Sequence, residues 1–104
     1  MKIRIADNQI RFRIQPNEQE QLLDGSILEN QLYFPANPLK FTLKVGHQPS
    51  HLANFKNNSC IIELHKLAAE AWRKNPKEII KFTQEESLGN SILICVELDL
   101  MRDK

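Results

Sequence analysis

The sequence is poor in the residues from which small functional motifs are built. It holds three glycines in 104 residues, too few for a Gly-rich phosphate loop and the turns of a small domain together. Its two cysteines, Cys60 and Cys95, lie far apart and form no C-x-x-C pair. That is no disulfide-stapled miniprotein. They read as small, reduced hydrophobes, with a bridge between two buried strands as the alternative. No apolar run approaches the roughly 18 residues of a membrane span. The longest, Ile92-Leu93-Ile94-Cys95-Val96, suits a buried strand. The opening Met1-Lys2-Ile3-Arg4 alternates and lacks the apolar stretch of a signal peptide. The expected location is cytoplasmic, without a membrane partner.

An excess of one charge is missing too. Fourteen Lys and Arg oppose thirteen Asp and Glu, for a net charge of +1. This excludes a basic tail and an acidic solvating tail, and argues against a general polyanion binder. What remains is one domain over 1–104, 41% hydrophobic and 26% charged, close to an ordinary globular composition.

Alternation dominates that domain. Residues 2–6 and 9–15 alternate apolar with polar or basic residues around Asp7-Asn8, and period two means strands with one buried face. A two-residue turn would pair Ile5 with Ile10, Arg4 with Arg11, Ile3 with Phe12 and Lys2 with Arg13. Residues 51–56 and 59–64 repeat the arrangement around Asn57-Asn58, setting Phe55 opposite Cys60 and Ala53 opposite Ile62. Further strands are expected near 27–34, 39–45, 78–83 and 91–100. Pro16 and Gly25 bracket a short helix over 16–24, with Asn17 and Glu20 as its capping box and Leu22 and Leu23 inward. Residues 65–74 predict a second helix, with Leu67 and Ala71, and Ala68 and Trp72, on its inward stripe. Asn75-Pro76 ends it. The hairpin-then-helix order occurs twice, at 2–24 and 51–74, in dissimilar sequence.

The opening Lys2-Ile3-Arg4-Ile5, then Asn8, then Ile10-Arg11-Phe12-Arg13-Ile14 is joined by Ala68-Ala69-Glu70-Ala71-Trp72 and by Ile92-Leu93-Ile94 before Glu97-x-Asp99. The whole resembles a small family of uncharacterised bacterial proteins of unknown function. The resemblance implies a short, single-domain chain of similar course over most of its length. It carries over no activity, cofactor, partner or catalytic residue.

Net neutrality hides segregated charge. Residues 1–15 carry four bases and one acid, 16–30 four acids and no base, 31–60 three lysines and no acid. Lys2, Arg4, Arg11 and Arg13 share the polar face of the first hairpin, and like charges directly opposite repel. Three partners could neutralise them: solvent, an anionic ligand gripped by the arginine forks, or carboxylates. Glu97 and Asp99 share a face of the last strand and would pair with the arginines if that strand lies beside the hairpin. The two carboxylates are weak evidence for a hard cation. His47 and His51, four apart around Pro49, read as loop histidines at the surface. Cys60 falls in phase with Phe55 and Ile62, as core rather than nucleophile. Phe12 points away from Arg11 and Arg13, so the face lacks the stacking platform of a single-strand reader.

The expected architecture is α+β and mainly antiparallel: a curved sheet or partly closed barrel of 6–8 strands with two short helices. The predicted core includes Ile3, Ile5, Ile10, Phe12, Ile14, Leu43, Phe55, Ile62, Leu64, Leu67, Ala71, Trp72, Ile94, Val96 and Leu98. Function reads as a non-catalytic binding or interaction module for a protein partner or a second copy. The alternatives are a small-anion or phosphate-ligand domain, enzymatic or not, using Lys2, Arg4, Arg11 and Arg13, and a single-stranded nucleic-acid binder. No catalytic residue, metal ligand or cofactor is assigned.

Overall fold

The computed structural model describes residues 1–100. Its elements run β1 (Lys2–Ala6), β2 (Gln9–Ile14), α1 (Pro16–Leu23), β3 (Leu28–Leu32), β4 (Leu39–Gly46), β5 (Leu52–Lys56), β6 (Ser59–His65), α2 (Lys66–Lys74), β7 (Ile80–Glu85) and β8 (Ser91–Leu98). Asp7 and Asn8 turn the first hairpin at φ of 49° and 60°, and Asn57 and Asn58 the second at 53° and 62°. Two consecutive left-handed residues are what a type I′ turn needs, and short Asx side chains tolerate them. The turns set the registers: Arg4 faces Arg11, Ile5 faces Ile10, Phe55 faces Cys60 and Ala53 faces Ile62.

Helix α1 begins at Pro16 as expected, but its capping box lies two residues before Asn17 and Glu20. Its N-cap is Gln15, whose N–H donates to the Glu18 carboxylate at 2.8 Å. Glu18 also holds the Met1 ammonium at 2.9 Å. Burial works against its charge, but the Gln15 N–H and the ammonium outweigh that and hold its pKa below the ordinary 4.5. At the other end Gly25 takes φ of 97°. Ser26 N–H reaches Gln21 O at 2.9 Å and Gly25 N–H reaches Leu22 O at 3.0 Å, the paired bonds of a Schellman stop.

The strands form two four-stranded sheets, β1-β2-β8-β7 (sheet A) and β3-β4-β6-β5 (sheet B). The single curved sheet or partly closed barrel is therefore corrected, whereas the mainly antiparallel character holds. Outer pairs are antiparallel, but the central pairs β2–β8 and β4–β6 are parallel. Local pattern does not foresee these two parallel pairs, because hairpins report only neighbours in sequence, whereas the central pairs join distant parts of the chain. Between the sheets, single side chains bridge the edges instead of ladders. Ala53 N–H donates to Gln84 Oε1 at 2.9 Å across β5 and β7, and Asn30 Nδ2 donates to Met1 O at 2.8 Å beside β1 and β3.

The topology is a swapped duplication. One unit is β1-β2-α1-β3-β4 and the other β5-β6-α2-β7-β8. Each sheet combines the first hairpin of one unit with the second hairpin of the other. Registers match residue for residue. Phe12 faces Val96 as Ile62 faces Leu43, and Leu28 faces Leu43 as Ile80 faces Val96.

Both sheets bury their inner faces in one core with Leu22 of α1 and Trp72 of α2. Phe12, Ile14, Leu43, Ile62, Leu64, Ile94 and Val96 are almost wholly buried. Four predicted core residues are not in it: Ile5, Phe55, Leu67 and Ala71 are exposed. Ile5 and Phe55 stand near the hairpin tips, on edge strands at the end away from the helices. Helix α2 is rotated relative to the predicted stripe and buries Ala69 with Trp72. Its start is set by β6 running straight into it at His65. The two cysteines are free and lie in different sheets, Cys60 on β6 and Cys95 on β8.

His51 is half-buried rather than on the surface. Its Nδ1 accepts the His65 N–H at 2.9 Å, where α2 begins, and its ring lies 5.0 Å from that of Phe82. Burial first, and the neighbouring His65 second, lower its pKa from 6.5. A histidine kept neutral when folded but free to take a proton when unfolded gives stability that is present above its unfolded pKa and lost as pH falls.

Two outcomes follow. Phe12→Ala is expected to lower unfolding free energy in urea by about 3–5 kcal/mol, against less than about 1 kcal/mol for Phe55→Ala. The melting temperature is expected to fall as pH drops below 6.5, with a shallower fall in His51→Gln.

Candidate functional site

Alternation on β1 and β2 sends Ile10, Phe12 and Ile14 inward, so Arg11 and Arg13 must point outward. The register then places Arg4 beside Arg11 and Lys2 beside Arg13. The parallel pairing of β8 with β2 sets Glu97 opposite Arg13 and Cys95 opposite Arg11. Glu97 binds both arginines. Its Oε1 accepts from Arg11 Nη1 at 3.0 Å, and its Oε2 from Arg13 Nε at 3.0 Å and Nη2 at 2.9 Å. The carboxylate is only 12% exposed, against 30% and 36% for the two arginine side chains. Asp99 lies 4.0 Å from Lys2 Nζ, accepts from Gln15 Nε2 at 3.3 Å, and donates its own N–H to Ile14 O at 2.7 Å.

The structure thus gathers Lys2, Arg4, Arg11, Arg13, Glu97 and Asp99 on one side of sheet A. Four cations meet two carboxylates there, and the balance stays positive. Arg4 is exposed and has no acidic partner among the described residues. An open hollow of about 400 Å³ is lined by Lys2, Ile3, Arg4, Arg11 and Arg13. A second, of about 240 Å³, lies along Arg4, Ala6, Gln9, Arg11 and Arg13. Opposite Arg11 on β8 is Cys95, 1% exposed, with Gln9 Nε2 4.0 Å from its sulfur.

The second unit shows what the fold itself demands at these positions. The registers make Leu52, Asn54, Ile61 and Glu63 the counterparts of Lys2, Arg4, Arg11 and Arg13. Glu63 faces Lys44 where Arg13 faces Glu97, with the signs exchanged. None of the four counterparts is cationic, so the architecture does not need a basic face.

Other chemistry is not assembled among the described residues. No group of three or more His, Cys, Asp or Glu could hold a metal. Burial pushes the Cys60 thiol pKa up, which disfavours thiolate. His47 lies in an exposed loop. No helix is long and apolar enough to cross a membrane. A feature that alternation alone could not show is the groove between β5 and β7, because the contact of those edges depends on the swap.

Fold and face together define a duplicated, hairpin-swapped α+β domain with one cationic sheet face. Residues 1–102 match DUF7009, a family of unknown function, and the chain belongs to it. No curated protein and no solved structure matches.

The shared carboxylate gives a test of the face as structure. Glu97→Gln leaves two arginines side by side with a neutral partner and is expected to cost about 1–3 kcal/mol in urea unfolding. Added salt should recover part of that loss by screening the exposed arginines.

Proposed function

We propose that this chain is a non-catalytic binding module that docks an acidic segment of a partner protein on the outer face of sheet A. The observation that carries the reading is Arg4: it stands opposite Arg11 without a carboxylate among the described residues, while Glu97 is spent on Arg11 and Arg13. A directly opposed pair of cations costs stability, and the second unit does without one at the same place. The openness of the hollow favours an extended acidic segment over an enclosed small ligand. Arg11 and Arg13, already held by Glu97, would orient it while Arg4 and Lys2 supply the attraction. Steering by such charges is lost with salt. A cytoplasmic setting belongs to the same reading.

The second reading is a small-anion site, favoured by the guanidinium fork of Arg4, uncommitted among the described residues. A single-strand nucleic-acid site has less support. Phe12 is buried, and the exposed Tyr33, Phe34 and Phe55 belong to sheet B or its loop rather than to this face.

The test uses three probes in a titration followed by amide chemical shifts: a hexaglutamate peptide, inorganic phosphate and an oligothymidylate. The expected result is saturable binding of the peptide, with shifts centred on Arg4 and Arg11 and phosphate much weaker. Arg4→Glu is expected to weaken peptide binding by about tenfold or more. The same variant should raise unfolding stability by about 0.2–1 kcal/mol, because it turns a repulsive cross-strand pair into an attractive one. Equal binding of phosphate would favour the small-anion reading. Binding of the oligonucleotide that falls steeply with salt would favour nucleic acid.

A further inference from the structure

The edges of the two sheets meet at β5 and β7 without pairing. Ladder bonds alternate along an antiparallel pair. Ser59 and Lys56 close the second hairpin, so Asn54 pairs with Ile61 and the backbone groups of Ala53 and Phe55 face away from β6. On β7 the bond from Glu86 N–H to Asn90 O, 2.9 Å, fixes the phase. Gln84 therefore bonds to Ile92 on β8, and the groups of Thr83 and Glu85 face outward. Ala53 and Phe55 on β5 and Glu85 on β7 thus border one gap, with Thr83 next along the same open edge, and an open edge is a template for another strand.

A side chain already fills one place in that gap. Gln84 Oε1 accepts the Ala53 N–H at 2.9 Å, in the role a strand carbonyl would play. Because a whole glutamine side chain is needed to cross, the edges stand further apart than the ~4.8 Å of a ladder. Around this bridge runs a groove of about 590 Å³, bordered by Ala53 and Phe55 on one side and Gln84, Glu85 and Glu86 on the other. It leads into a smaller, apolar hollow of about 120 Å³ between the sheets, floored by Cys60 and Ile92. Phe55 is 63% exposed at its mouth. Two carboxylates and no cation line the groove. Glu86 accepts from the Leu88 N–H and the Asn90 amide, whereas Glu85 is exposed and uncommitted among the described residues.

We propose that this seam is a peptide slot, taking an extended segment of a partner protein that alternates apolar and basic residues. The segment would enter as a strand between β5 and β7 and displace the Gln84 amide. Its backbone would bond the free groups of Ala53, Phe55, Thr83 and Glu85. Alternate side chains would then divide between the apolar hollow and the Glu85–Glu86 rim, the division that β-strand addition uses for specificity. This site is separate from the basic face, and its occupant has the opposite charge.

The probe is an acetylated, amidated pentapeptide of sequence Lys-Val-Lys-Val-Lys, titrated into the full chain with amide shifts and hydrogen exchange as readouts. Saturable shifts are expected over Ala53–Phe55 and Thr83–Glu86, with slowed exchange at the Phe55 and Glu85 amides and a shift of the Gln84 side-chain amide. Glu85→Lys, at an exposed position, is expected to weaken binding about tenfold, and Phe55→Ala to weaken it as well. A pentapeptide with its central lysine replaced by proline should lose most of the binding, since proline cannot donate. The proposal is overturned by the absence of saturable shifts, or by equal binding of the proline peptide. It is also overturned if the same amides gain protection with protein concentration alone, which would make the occupant a second copy.

Discussion

The parallel pairing of β2 with β8, repeated as β4 with β6, is the constraint on which the rest depends. Neither unit keeps its two hairpins together. Each lends one to the other's sheet, so the central strands Phe12–Val96 and Leu43–Ile62 are contacts between units rather than within them. One core results, capped by two helices that follow equivalent strands. The same pairing brings Glu97 to Arg11 and Arg13 and sets β5 and β7 edge to edge. Remove it, and the basic face loses its counter-charge and the seam its two walls.

Duplication also separates what the fold requires from what it tolerates. The core pairs are matched apolar residues in both units. The outer faces are not matched. The first unit shows four cations where the second has leucine, asparagine, isoleucine and glutamate. Stability alone would favour a carboxylate opposite Arg11 over Arg4. A local conflict that the fold does not need is where functional pressure is expected to show.

Much of the local structure was legible in the sequence, for reasons particular residues make plain. Asp7-Asn8 and Asn57-Asn58 name the turns, and with alternation they fix the hairpin registers down to Arg4 opposite Arg11. Pro16, Gly25 and Asn75-Pro76 mark the helix ends. Sheet order was not legible, because no local signal says that β8 runs parallel to β2. The proximity of Glu97 to the arginines could thus be stated only as a condition. Exposure of Ile5 and Phe55 was hidden for a related reason: alternation tells which face a residue takes, not whether another sheet reaches far enough to cover it. Leu67 and Ala71 were misplaced because a short helix has several similar stripes, and β6 rather than hydropathy decides which one turns inward. The groove at Gln84 and Glu85 belongs wholly to the tertiary arrangement.

The position of β8 has a consequence for how the chain acquires its shape. It is the last of the described strands, yet it lies at the centre of sheet A, between β2 and β7. The first hairpin therefore spends most of synthesis beside no permanent neighbour, since residues 91–98 must be made before its inner edge is filled. Sheets closed by contacts so distant in sequence form slowly and leave edges open in the meantime. During that interval Lys2, Arg4, Arg11 and Arg13 act as a guard: a ribbon bearing so much like charge repels another copy of itself. The late arrival of Glu97 relaxes that guard only once the correct neighbour is in place.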